Sequence, residues 1–123
     1  MKWLLTFSIL CLFAIKSNAQ REKFLVNKYW QYNGSIMQHD KSQVYNFRAI
    51  PKDSIQEIAM YFKADGGFKE VVTRKHPKPA RTGRWRMDND ILVIDFDGNA
   101  KAAGWKYKIL YIDAKQFQCI TSK

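Results

Sequence analysis

The chain carries its clearest structural signal in residues 105–121, WKYKILYIDAKQFQCIT. Apolar side chains occupy alternate positions in the first half of this stretch: Trp105, Tyr107, Ile109 and Tyr111. A period of two is typical of a β-strand with one buried face, so these four side chains are predicted to share that face. Residues 113–116 then return the chain into a second run, from Phe117 to Thr121. A connection this short joins antiparallel strands, because parallel neighbours need a longer crossover.

The middle of the chain repeats this pattern of short strands and tight turns. Residues 82–87 alternate cationic and apolar side chains, and residues 91–96 are rich in β-branched types. The polar turn 88–90 separates these two runs. Further upstream, Asp65-Gly66 supplies the positive φ angle that a tight hairpin requires. The middle of the chain is therefore also predicted to be an antiparallel meander.

The first half of the domain contains a second hairpin signal and one ambiguous segment. Asn33-Gly34 lies between two apolar runs and predicts a two-residue hairpin turn. Residues 54–62 fit two structures: a short helix near residues 54–60, begun by a capping box of Ser54 and Glu57, or a strand that enters the Asp65 turn. We favour the strand, because a hairpin needs two arms. A further strand is predicted from residues 44–50.

The runs add up to about eight strands, so the predicted fold is all-β. Eight antiparallel strands in up-and-down order close into a small barrel whose interior is filled by side chains or holds one small ligand. The sequence contains no internal repeat, and no linker divides residues 20–123, which we expect to form a single domain.

Residues 1–19 have the pattern of a signal peptide. Lys2 precedes an apolar run over residues 3–15, and small residues at Ser17 and Ala19 fit a cleavage site before Gln20. Removing 19 of the 123 residues leaves 104, with 19 basic and 11 acidic side chains and a net charge of +8. We therefore expect an exported protein, periplasmic or secreted, with a preference for anionic partners. Cleavage leaves one cysteine, Cys119, which is predicted to be buried and inert.

The order of landmarks resembles the small lipocalin-like domains of exported bacterial proteins. An opening tryptophan, Trp30, is followed by a phenylalanine strand into an Asp-Gly turn at residues 62–68, and by a Gly-x-Trp strand that begins at Gly83. A closing hairpin completes the pattern, and the resemblance covers residues 27–121. The chain departs from larger lipocalins because it has no glycine two residues before Trp30 and no room for a C-terminal helix. The resemblance implies a barrel that binds a small hydrophobic molecule or acts as a scaffold, rather than an enzyme.

Two groups of side chains are candidates for a binding site. Six aromatic residues are predicted to face the barrel interior and contact a ligand: Trp30, Phe62, Trp85, Phe96, Trp105 and Tyr107. Six cations of the segment 74–86 are predicted to form a basic rim that binds an anion or an acidic partner: Arg74, Lys75, Lys78, Arg81, Arg84 and Arg86. Simple solvation of a basic hairpin and complete filling of the core are the plain alternatives.

The sequence carries no recognisable catalytic, metal-binding or cofactor motif. We therefore expect a non-enzymatic protein without a cofactor or a bound metal. His39 and His76 are expected to be solvated loop residues. Nucleic acid is not an expected partner, because Trp85 alternates with Arg84 and Arg86 and so faces inward. The expected partner is a small hydrophobic or amphipathic anionic molecule bound by a monomer. The alternative is a protein-interaction module, such as an inhibitor, an immunity protein or an envelope-complex subunit, that binds an acidic protein through the basic rim or a sheet edge.

Overall fold

The computed structural model describes residues 21–75, 78–98 and 104–122, which form a closed antiparallel barrel of eight strands. The strands are β1 (Tyr29–Met37), β2 (Gln43–Ile50), β3 (Ile58–Phe62), β4 (Gly67–Val72), β5 (Thr82–Asp88), β6 (Ile91–Phe96), β7 (Trp105–Ile112) and β8 (Gln116–Thr121). A 3-10 turn at Lys52–Ser54 and a helical stretch over residues 21–25 complete the secondary structure. Within these described ranges, no helix has the length and apolar character needed to cross a membrane. The predicted signal peptide, residues 1–19, lies outside the described residues.

The predicted fold class is confirmed, with one departure from strict strand order. Strands β3 to β8 form a continuous meander, whereas β1 lies between β2 and β3 and pairs with both. The connection over residues 51–57 must therefore cross β1. It does so on the outside of the barrel, where the backbone N–H of Gln56 donates to Oε1 of Gln31 at 2.9 Å. Gln31 faces outward because its neighbour Trp30 faces the core.

Most of the predicted turns are confirmed. The chain reverses between β3 and β4 at Gly66, whose φ is +92°, and between β5 and β6 at Asn89, whose φ is +56°. Between β7 and β8, Oδ1 of Asp113 accepts hydrogen bonds from the backbone N–H groups of Lys115 and Gln116, at 2.8 and 2.9 Å. Each turn therefore uses the residue type that the sequence provides for it.

The prediction of a hairpin turn at Asn33-Gly34 is wrong. Gly34 has the expected positive φ, +100°, but it lies inside β1, where the pairing with β2 shifts register between Tyr32 and Ser35. A β-bulge uses the same backbone conformation as a hairpin turn, so the dipeptide fits either. The chain reverses later, at residues 38–42, where the carboxylate of Asp40 accepts hydrogen bonds from Ser42.

The strand favoured for residues 54–62 is confirmed from Ile58 onward. β3 pairs with β4 along its whole length, from Ile58 opposite Val72 to Phe62 opposite Phe68. The helical alternative is reduced to the 3-10 turn that ends at Ser54. The strand prevails because its apolar side chains enter the barrel and its backbone completes two ladders.

One face assignment in β7 needs correction. The ladder with β8 shifts register between Ile109 and Tyr111, so the alternation predicted from Trp105 onward is interrupted. Tyr111 is 48% exposed, and Ile112 packs against the core in its place. The bulge inserts one residue into the strand, and that insertion moves every later side chain to the opposite face.

The barrel is closed at one end by the segment that precedes β1. Leu25 is completely buried, and its carbonyl oxygen accepts a hydrogen bond of 3.0 Å from Nε1 of Trp30. The backbone N–H of Asn27 also donates to the carbonyl of Phe62, at 2.8 Å. We call the opposite end, where β4 ends and β5 begins, the mouth. The apolar core therefore fills the closed end, which leaves the mouth as the place where the interior can open.

Candidate ligand-binding site at the barrel mouth

The mouth opens into a cavity of about 240 Å³. Six aromatic side chains line it: Trp30, Tyr32, Tyr45, Phe47, Trp105 and Tyr107. Trp30 and Met60, both buried, lie deeper in the barrel and contribute to the floor. Ile58, Ala59 and Glu70 complete the lining. The cavity is thus mostly aromatic, with a single carboxylate in its wall.

Strand alternation explains why these rings converge. Tyr45 and Phe47 are two residues apart on β2, and Trp105 and Tyr107 are two residues apart on β7, so each pair faces inward. The ring centroid of Tyr32 lies 6.2 Å from that of Tyr45 and 5.9 Å from that of Phe47. These separations are typical of packed aromatic pairs, which hold the cavity wall in place.

Glu70 is the one buried charged residue of the described chain, with 5% of its surface exposed. It faces inward because it alternates with Phe68 along β4. Its carboxylate forms two parallel hydrogen bonds with Arg81, from Nε to Oε1 at 2.8 Å and from Nη2 to Oε2 at 3.0 Å. The backbone N–H of Arg81 also donates to Oε1, at 3.0 Å. A buried carboxylate needs such partners, and the same hydrogen bonds raise the pKa of Arg81 above its ordinary value.

Arg81 is also fixed by two aromatic rings. Its guanidinium carbon lies 4.1 Å from the ring centroid of Phe96 and 4.6 Å from that of Trp105. A guanidinium placed at these distances from aromatic faces is attracted to them. The side chain of Arg81 nevertheless remains 47% exposed, whereas that of Glu70 is 2% exposed. The pair thus presents a cation at the mouth and keeps its carboxylate inside.

The structure divides the six aromatic residues predicted to contact a ligand. Trp30, Trp105 and Tyr107 line the cavity. Phe96 lies behind the wall, with its ring centroid 4.8 Å from that of Trp105. Phe62 and Trp85 pack against each other near the closed end, where Nε1 of Trp85 donates to the carbonyl of Lys63 at 2.8 Å. These last two residues serve the core rather than the cavity.

The six predicted rim cations are also divided. Arg81 lies at the mouth, and Arg74, Lys75 and Lys78 are exposed on the connection between β4 and β5 at the same end. Two of the six lie on the outer wall of β5 instead, because β5 runs away from the mouth: Arg84 and Arg86. Arg84 donates to the carbonyl of Asp65, in the turn at the closed end, and Arg86 forms ion pairs with Asp88 and Asp95.

Sequence reasoning missed seven lining residues: Tyr32, Tyr45, Phe47, Ile58, Ala59, Met60 and Glu70. The alternation of Tyr45 and Phe47 within the predicted strand 44–50 was a usable signal for two of them. Tyr32 was hidden by the incorrect hairpin at Asn33. Glu70 carried no signal at all, because a glutamate in a strand is ordinarily assigned to the solvent face.

Two titratable side chains in the interior have raised pKa values. Burial raises the pKa of Tyr107 to about 12 and that of the Cys119 thiol to about 12. Cys119 is fully buried in the core, as predicted, and a neutral thiol is a poor nucleophile. No group of three metal-ligating side chains occurs among the described residues, in which His39 is exposed near the tip of the β1–β2 hairpin. His76 lies outside them.

This geometry can bind a ring in an aromatic pocket and a polar group at Arg81. Comparison with known proteins adds no relative: no protein-family model, curated protein or solved structure matches this chain.

Proposed function

We propose that this protein binds a small hydrophobic or amphipathic molecule in the mouth cavity and carries out no catalysis. The observation that supports this best is the aromatic cavity itself, which lies at the open end of an otherwise filled barrel. Ligand sites are typically concave and mostly apolar, with a few convergent polar groups. The resemblance to small lipocalin-like domains favours the same function.

The size of the cavity limits the ligand. Pockets that enclose drug-sized molecules measure about 300–1,000 Å³, and this cavity is smaller, at about 240 Å³. A molecule with one or two rings fits within it, whereas a long acyl chain would extend out of the mouth. We propose export to the periplasm or the medium as the setting, on the pattern of residues 1–19.

A binding screen tests this proposal, together with one variant that fills the cavity and one matched control. Native mass spectrometry of the protein purified from its own host would detect a retained ligand, and thermal shift against small ring-bearing molecules would find others. Ile58→Trp places a large ring at the cavity wall, and Ile91→Trp makes the same change at a half-buried position that lines no described cavity. We expect saturable binding that Ile58→Trp removes and Ile91→Trp preserves. No saturable binding, or equal binding by both variants, would overturn the proposal.

A second candidate is a protein-interaction module, favoured by one feature of the β1–β2 hairpin. Residues 35–37 extend past the mouth and pair, among the described strands, with β2 alone. Ile36 and Met37 are each 63% exposed there. Exposed apolar side chains on a projecting hairpin are typical of partner contacts.

Two variants distinguish a protein partner from a small-molecule ligand. They also distinguish binding through the β1–β2 hairpin from binding through the β4–β5 connection. Ile36→Ser with Met37→Gln should abolish co-purification of a partner, while leaving small-molecule binding and the melting temperature unchanged. Reversal of Arg74, Lys75 and Lys78 to Glu tests the predicted basic rim, whose contacts should weaken with salt. Unchanged co-purification with both variants would exclude this candidate.

A further inference from the structure

We propose that Arg81 is the anion-binding residue of the mouth, and that the site takes a small aromatic carboxylic acid whose ring enters the cavity. This inference rests on the proposed function and deepens it, because it names one of the six candidate cations and a chemical class of ligand.

One edge of the Arg81 guanidinium has no hydrogen-bond partner among the described residues. An arginine has five N–H donors arranged on a planar fork. Glu70 occupies the edge formed by Nε and Nη2, and no described residue accepts a hydrogen bond from Nη1. The edge formed by Nη1 and Nη2 therefore remains for a second carboxylate, and the 47% exposure of the side chain makes it accessible. Carboxylates bind such an edge through two parallel hydrogen bonds.

Arg81 is already held in position before a ligand binds. Glu70 fixes one edge of the guanidinium, and the rings of Phe96 and Trp105 lie 4.1 and 4.6 Å from its central carbon. A side chain that is ordered before the ligand arrives loses little conformational entropy on binding. Lys75 and Lys78, exposed on the connection, lack such contacts among the described residues. Arg81 is therefore the cation best prepared to orient a ligand.

The position of Trp105 determines where the ring of the ligand lies. Trp105 both lines the cavity and lies against Arg81, so a ring packed on Trp105 and Tyr107 brings a substituent near the guanidinium. The cavity of about 240 Å³ accommodates one aromatic ring with a short linker. An acid of the phenylpropionate or indole-acetate type joins these two requirements.

The charges around Arg81 indicate that the geometry of its hydrogen bonds contributes more to ligand recognition than net charge does. Glu70 offsets the charge of Arg81, so the free hydrogen-bond donors rather than a large positive field must recognise the ligand. Asp97 lies on the same end of the barrel, where its carboxylate accepts a hydrogen bond from Thr82 at 2.8 Å. The exposed cations of the β4–β5 connection add a steering potential that is screened by salt.

The experiment is a titration of the full protein with 3-phenylpropionate and with 3-phenylpropionamide, its uncharged analogue of the same shape. Quenching of tryptophan fluorescence and calorimetry report the Kd. For the wild-type protein we expect the acid to bind about tenfold more tightly than the amide, the effect of a charge-assisted hydrogen-bond pair. Arg81→Lys keeps a cation but loses the fork, so the acid should lose most of this preference. Lys78→Gln, the matched control on the same connection, should retain it.

A second measurement keeps the test independent of how the variant folds. In the wild-type protein, the ¹⁵N resonance of the Arg81 Nε–H group should shift on addition of the acid and not of the amide. Equal binding of acid and amide would overturn the assignment of Arg81 and leave the proposed function standing. If neither the acid nor the amide binds, both the proposed ligand class and the placement of its ring in the cavity are overturned. If Lys78→Gln loses the preference for the acid over the amide and Arg81→Lys keeps it, the acid is attracted by the exposed cations of the connection and is not bound at Arg81.

Discussion

The Glu70–Arg81 pair should respond very unequally to removal of its two members. The side chain of Glu70 is 2% exposed and that of Arg81 is 47% exposed. Arg81→Met leaves a carboxylate buried without its guanidinium, retaining only the backbone N–H bond at 3.0 Å. Removal of one partner of a buried pair costs about 3–5 kcal/mol, and we expect about 3 because that one hydrogen bond remains. Glu70→Gln leaves a half-exposed guanidinium that water can solvate, at a cost of about 1 kcal/mol.

The double variant gives the sharper version of this prediction. Combining Glu70→Gln with Arg81→Met removes the buried charge, so the double variant should be more stable than Arg81→Met alone. Urea unfolding at pH 7, followed by tryptophan fluorescence, measures all four proteins. A double variant that is less stable than Arg81→Met would show that the burial of this carboxylate is not what determines the cost.

Three further changes test separate parts of the barrel. Because burial raises the pKa of Cys119 from 9.0 to about 12, stability should fall as the pH rises above about 9, by up to about 1.4 kcal/mol per unit. Urea midpoints from pH 8 to 10.5 should show this slope reduced in Cys119→Ala, and an unchanged slope would contradict the burial of the thiol. In Gly83→Ala the new Cβ meets the backbone carbonyl of Asp95, so we expect the free energy of unfolding, measured by thermal unfolding, to fall by about 3 kcal/mol. A loss of under about 1 kcal/mol would show that the two strands leave room for a side chain at this position. Trp30→Phe leaves the buried carbonyl of Leu25 without its hydrogen-bond donor, so we expect the free energy of unfolding to fall by about 2 kcal/mol and amide exchange in residues 21–28 to become faster. Exchange at the wild-type rate would show that this hydrogen bond does not hold the segment against the closed end.

Strand alternation and turn chemistry made the fold predictable. In residues 105–121 and 82–96, inward and outward side chains differ clearly in polarity, and the polar turns between the strands admit only antiparallel neighbours. The strand order around β1 was beyond such reasoning. It depends on a connection that passes over Gln31, and a contact between distant segments leaves no local pattern.

The two errors in the strands have a common cause. A positive φ at Gly34 serves a bulge as well as a turn, and the bulge near Ile109 has no residue type that identifies it. Each bulge changes which later side chains face inward. Tyr111 was misplaced for that reason, because a one-residue shift reverses the face of a strand. Tyr32 precedes the bulge at Gly34 and was missed because a hairpin turn was predicted directly after it.

The candidate site was only half visible in the sequence. Aromatic residues in alternating strands indicated an apolar interior, and Trp30, Trp105 and Tyr107 were found in this way. The separation of core rings from cavity rings depends on position along the barrel axis, which alternation does not report. The pairing of Glu70 with Arg81 joins residues on two strands, and it distinguishes Arg81 from five other cations that look equivalent in the sequence.

Contacts between ligand and protein protons would decide whether the mouth cavity is a binding site. With 3-phenylpropionate added to isotopically labelled protein, we expect nuclear Overhauser effects between the ligand ring protons and the ring protons of Trp105 and Tyr107. Contacts confined to Ile36 and Met37 on the projecting hairpin, or none within the barrel, would show that the cavity is not where this protein binds.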